Sequence, residues 1–121
     1  MQGEGHNTNE KFRFKKVYIT PIDITITYRP DRCFVYYNDY EAYVSISISN
    51  VSVVAGVDLD IFNVSKIITP TSDSFSALFT NSSSSSGSID CNVRTTGMVQ
   101  LGSIFSSEDT NIWGQAHAFL K

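Results

Sequence analysis

The sequence predicts an all-β fold, an antiparallel β-sandwich or jelly-roll-like barrel, and three observations carry that prediction. The first is a repeating period of two. In Tyr43-Val-Ser-Ile-Ser-Ile-Ser49, residues Val44, Ile46 and Ile48 face one way and Ser45, Ser47 and Ser49 the other. Such alternation marks a strand with one face on a core and one in water. The second is the spacing of turn residues, which fall at Arg29-Pro-Asp31, Asn38-Asp39, Ala55-Gly56, Thr69-Pro70, Ser86-Gly87, Thr95-Thr-Gly97 and Trp113-Gly114. Punctuation every ~8–14 residues is the sign of a sandwich or barrel. The third is that no stretch keeps a 3.6-residue apolar period long enough for a helix.

Taken in order, residues 1–10 are polar and read as a flexible N-terminal segment, and residues 11–121 read as one β domain. Lys11-Phe-Arg-Phe-Lys-Lys16 alternates charge and aromatics and reads as an entry strand or a solvated flank. Ile22-Asp-Ile-Thr-Ile-Thr-Tyr28 predicts a strand with Ile22, Ile24, Ile26 and Tyr28 on its apolar face. Tyr43–Ser49 and Val57–Phe62 follow as strands, then Phe75–Thr80. Asn81-Ser-Ser-Ser-Ser-Ser-Gly-Ser88 reads as a long exposed loop, either idle or an adaptable rim to a binding surface. Ile89–Arg94 alternates again, and Val93–Leu101 reads as a hairpin in which Gly97 supplies the positive φ of a tight turn. The last strand is Ile112–Phe119. Trp113, Gln115, His117 and Phe119 share one of its faces, and Ala116, Ala118 and Leu120 the other.

Composition narrows the function classes. The 121 residues carry a net charge of −3, with 41% apolar and 17% charged residues. That balance argues against disorder, and it leaves a phosphate backbone no overall field to be drawn to, so no nucleic-acid partner is expected. No apolar run approaches the ~18 residues needed to cross a bilayer, and the polar start lacks a signal-peptide core, so the expectation is a soluble protein without membrane insertion. Cys33 and Cys91 lack metal or redox spacing and read as buried free thiols rather than a disulfide. The sequons at Asn50, Asn63 and Asn81 are unsurprising in a chain rich in Asn and Ser.

Motifs for catalysis are missing from the sequence: no G-x-S-x-G, no glycine-rich phosphate loop, no H-E-x-x-H and no C-x-x-C. The expectation is a non-enzymatic protein without cofactor or metal. A sugar hydrolase would need two carboxylates across a cleft, and Asp58, Asp60, Glu108 and Asp109 are the residues available for such a pair. Recognition is the better-supported chemistry. Four tyrosines crowd the segment Phe34–Tyr43, and tyrosine joins a large apolar body to a polar tip, which suits interfaces and sugar surfaces. Tyr37 and Tyr40 are the candidates there, with Asp39 between them. Trp113, Gln115 and His117 form an amphipathic face on the closing strand, which reads either as a subunit contact or ligand groove, or as Trp113 in the core with His117 a satisfied surface residue. Glu108 and Asp109, in the loop before it, offer carboxylates to a sugar hydroxyl or a calcium ion.

The Val93–Leu101 hairpin around Thr-Thr-Gly and the closing Ile112–Phe119 strand resemble the C-terminal receptor-binding domains of tailed-bacteriophage fibre and baseplate proteins, over roughly residues 40–121. The resemblance implies a homotrimer of β heads in the virion tail, assembled in the host cytoplasm, that binds a host-surface glycan or protein. The alternative is a structural virion or appendage module making only protein contacts.

Overall fold

A computed structural model describes residues 10–52, 57–82, 86–102 and 109–121. Of the described residues 61% are strand and 3% helix, and the antiparallel sheet is curled into a half-barrel. The all-β prediction is therefore met. The strands are β1 (Lys15–Tyr18), β2 (Thr27–Tyr28), β3 (Phe34–Tyr37), β4 (Glu41–Ser52), β5 (Leu59–Asn63), β6 (Ser74–Ser82), β7 (Ser86–Val93), β8 (Met98–Leu101) and β9 (Asp109–Phe119). They run in the order β1-β3-β4-β9-β6-β7-β8-β5, with β2 paired to β4. The longest strands, β4 and β9, lie side by side at the middle of the sheet.

The inner face of the curl holds the core. Along β4, Ala42, Val44, Ile46 and Ile48 are buried, and along β9 Ile112, Ala116 and Ala118 are buried with them. The period of two in the sequence sets this partition, because successive side chains of a strand leave opposite faces. The two alanines of β9 stand opposite Val44 and Ala42, so small residues admit close packing at that end. Leu78, Ile89, Cys91, Val93, Val99 and Leu101 extend the core across β6 to β8.

Two bulges shape the sheet. In β5 the register slips between Asp60 and Phe62, so Ile61 is an extra residue and both Ile61 and Phe62 are buried. The Ile61 carbonyl instead accepts from the Ile22 N–H at 2.9 Å. In β4 the slip falls between Ile48 and Val51, where Asn50 has a φ of 58°. Asn tolerates the left-handed region better than most residues, and bulges of this kind add twist and bend a strand.

Three readings of the sequence are corrected. Ile22–Ile26 is a turn rather than a strand, and only Thr27 and Tyr28 pair with β4. The Asp23 carboxylate accepts from the Thr25 N–H at 2.9 Å and from the Thr25 hydroxyl at 2.6 Å. The Asp side chain thus takes a backbone donor that a ladder would otherwise use, and Ile24 is left 88% exposed. The serine run is not a long loop either. Asn81 pairs with Ser86 and Thr80 with Gly87, so β6 and β7 reach far into it, and residues 83–85 lie outside the described residues. Polar residues at a sheet margin gain ladder hydrogen bonds without needing apolar side chains, which composition alone conceals. Thirdly, Tyr37 packs against the core, whereas Tyr36 faces outward, 40% exposed. The expected flexible segment 1–10 falls almost wholly outside the described residues.

Cys33 and Cys91 are buried free thiols, as the sequence predicts. Burial pushes the Cys91 thiol up from 9.0 to about 12 and raises that of Cys33. Because the folded state holds Cys91 protonated, its contribution is complete below the unfolded value near 9.0 and is lost as pH rises toward 12. Over that window stability should fall with rising pH, by at most roughly 1 kcal/mol per pH unit from this group alone. Denaturant titrations of the protein and of Cys91→Ala at pH 8 to 11 check it: the variant should show a shallower alkaline loss, and equal slopes would contradict the assignment.

Candidate ligand-binding site

The outer face of β3, β4 and β9 carries a trough. Its floor is the serine side of β4, where Ser45, Ser47 and Ser49 leave little side-chain volume above the sheet. Taller residues flank it: Phe34 with Arg29 and Arg32 on one side, Trp113 and Gln115 on the other, enclosing about 590 Å³. Trp113 stands opposite Ser47, and Gln115 opposite Ser45. Large side chains across from serines on one sheet face make a depression by subtraction.

Backbone hydrogen bonds fix the arginine wall. The Arg29 N–H donates to the Ser47 carbonyl at 3.0 Å and the Arg32 N–H to the Arg29 carbonyl at 2.9 Å. The Ser45 hydroxyl donates to the Arg32 carbonyl at 2.8 Å, and the Cys33 thiol donates to the Ser47 carbonyl at 3.4 Å. The turn between β2 and β3 is therefore held against β4. On the opposite wall the Trp113 ring, 41% exposed, stacks on Phe79 with centroids 5.9 Å apart. Gly114, at a φ of 143°, lets β9 approach β6 closely, since a Cβ there would lie 3.0 Å from Leu78 Cδ2.

A second hollow of about 440 Å³ continues the trough along the sheet, lined by Lys16, Phe34, Tyr36, Tyr43 and Gln115. Phe34 and Gln115 belong to both. The Lys16 ammonium sits 4.5 Å from the Phe34 ring centroid, a cation–π contact that places it at the junction. Phe14 stacks on Tyr36 at 4.6 Å. Beyond it Tyr43 meets the His117 ring at 4.9 Å, and His117 Nε2 lies 3.1 Å from Glu41 Oε1. The Glu41 carboxylate, hydrogen-bonding and negatively charged beside it, raises the Tyr43 hydroxyl above its ordinary value.

The residues singled out from the sequence scatter relative to this trough. Trp113 and Gln115 line it. His117 shares their outer face one rung further on, engaged with Glu41, Tyr43 and Phe119. Asp39 and Tyr40 lie in the β3–β4 turn, where Asn38 Oδ1 accepts from the Tyr40 and Glu41 N–H groups. That turn lies past the Tyr36 and Tyr43 end of the second hollow, and neither Asp39 nor Tyr40 is among the residues lining either hollow. Tyr37 is directed to the core. Glu108 lies outside the described residues, and Asp109 opens β9 opposite Ser52. Asp58 lines a separate hollow with Phe75, Asp90 and Gln100, and Asp60 accepts from Gln100 Nε2 at 2.6 Å. Neither thiol is poised as a nucleophile, because both face the core and both are held protonated.

Arg29, Arg32, Phe34 and Lys16 were missed by sequence reasoning. The available signal was the run of serines at alternate positions of a long central strand, a gap that neighbouring long side chains must border. Neither a scan of family models nor a search of curated proteins returns a match to this chain.

Proposed function

We propose that this chain is a saccharide-binding head of the kind carried by tailed-bacteriophage fibre or baseplate proteins, holding a host-surface glycan without cleaving it and working as a homotrimer in the virion tail. The observation that supports this reading is the trough: an exposed tryptophan on one wall and a phenylalanine on the other, above a floor of hydroxyls. Sugar rings present apolar C–H faces to an aromatic ring and hydroxyls to polar edges, and a shallow, mixed surface of this kind meets both needs. No step of bond cleavage is required of it.

Trp113→Ala is the test. Because the ring is substantially exposed, the variant should keep its melting temperature within about 3 °C. It should lose at least about tenfold in affinity for any glycan that the parent retains on an array. Unchanged glycan binding by the variant would sink the reading. Light scattering at micromolar concentration should return a trimer.

A second reading, a structural appendage module with protein contacts only, draws on the exposed Phe75, Phe79 and Phe119, which are 72%, 61% and 64% exposed. Apolar surface of that kind often marks an interface. A stable oligomer that retains no glycan would favour it.

A further inference from the structure

Resting on the saccharide reading, we propose that the ligand of the trough is an anionic saccharide, one whose carboxylate or other acidic group is held by Arg29, Arg32 and Lys16. The chain as a whole is acidic, with 12 Asp and Glu against 9 Lys and Arg. Yet among the described residues, those lining the trough and its continuation include two arginines and a lysine and no carboxylate. Asp31, in the same turn as the arginines, is not among them. Among the described residues none of the three cations forms an ion pair; the pairs present are Arg94–Asp73 and His117–Glu41.

Like charges gathered without counter-charge repel one another, and an anion between them removes that cost. The geometry is prepared for one. The turn bearing Arg29 and Arg32 is stapled to β4 through Ser47 and Ser45, which reduces the ordering cost on binding. A guanidinium fork matches a carboxylate in plane and spacing. The Lys16 ammonium, parked against Phe34, offers a point charge where the two hollows meet. Phe34 and Trp113 then take the apolar ring faces, and Gln115 and the serines take the hydroxyls.

The sole tryptophan stands in the trough, so its fluorescence reports occupancy directly. The probes are tetragalacturonate and its methyl ester, sialyllactose and lactose, and a single-stranded oligonucleotide. At low ionic strength at least one acid should bind about tenfold more tightly than its neutral partner. That advantage should shrink at 0.5 M salt, because exposed charges are screened. Arg29→Gln combined with Arg32→Gln should bring the acid down to the affinity of its neutral partner.

Acid and neutral partner binding alike would overturn the anionic inference while leaving the saccharide reading standing. Silence toward all four sugars at millimolar concentration, or tighter binding of the oligonucleotide than of any sugar, would overturn both.

Discussion

Gly97→Ala should cost the fold about 4 kcal/mol, lowering the melting temperature by roughly 15 °C. Gly97 turns the β7–β8 hairpin at a φ of +87°, and a Cβ built there would lie 2.5 Å from Ser65 Cα and 2.6 Å from Ser65 N. The obstacle is backbone, so no side chain can swing aside. That backbone is also pinned: the Val64 N–H donates to the Gly97 carbonyl at 2.8 Å, and the Gly97 N–H donates to the Arg94 carbonyl at 2.9 Å. Alanine therefore meets two penalties, a backbone conformation L-residues avoid and a collision with a hydrogen-bonded segment. Gly102→Ala is the control. Among the described residues its Cβ would meet only Asp90, at 3.4 Å and beyond, and the change should stay within about 1 kcal/mol. Denaturant midpoints compare the two. Equal losses would mean that the turn does not rest on Ser65.

Phe62→Ala should cost about 3–5 kcal/mol, a large share of the ~5–15 kcal/mol that holds a domain of this size together. Phe62 heads the largest side chains that are fully buried. It comes immediately after the extra residue of the β5 bulge, which turns both Ile61 and Phe62 toward the interior. Removing the ring leaves a void in a close-packed core, and neighbouring strands tied into one sheet can collapse into it only partly. Phe75→Ala deletes the same ring from a site that is 72% exposed, and should cost less than about 1 kcal/mol. A similar loss from the two substitutions would contradict the inner-face, outer-face partition of the sheet.

That partition was legible in the sequence wherever one face of a strand is uniformly apolar. β4 and β7 could be assigned by alternation alone. On β9 alternation separated Ala116 and Ala118 from Trp113, Gln115 and His117, but it left open which of the two faces meets the core. The same rule failed at Ile22–Ile26, where an Asp side chain captured the Thr25 N–H. Here a local hydrogen bond outweighed a period of two. It failed in the opposite sense at Asn81 and at Ser86–Ser88, where strand pairing persists through serine and glycine. The trough was half visible. Trp113 and Gln115 announce themselves by type and position, but Arg29 reads only as a turn residue before Pro30, and Arg32 carries no signal of its own. Their place beside Ser45 and Ser47 depends on how a turn folds back onto β4, a contact between residues more than a dozen positions apart. Tyr36 and Tyr37 differ by one position, and the face given to the core decides which of them is available to a ligand.

We propose that the serine floor of β4, with its aromatic and cationic walls, is the surface presented to a ligand. Backbone amide shifts in a heteronuclear NMR titration with tetragalacturonate or sialyllactose test it most directly. The largest perturbations should fall on residues 29–34, 45–49 and 113–115, together with the Trp113 indole N–H. Perturbations centred instead on β5, β7 and β8, or a spectrum unmoved at millimolar sugar, would contradict it.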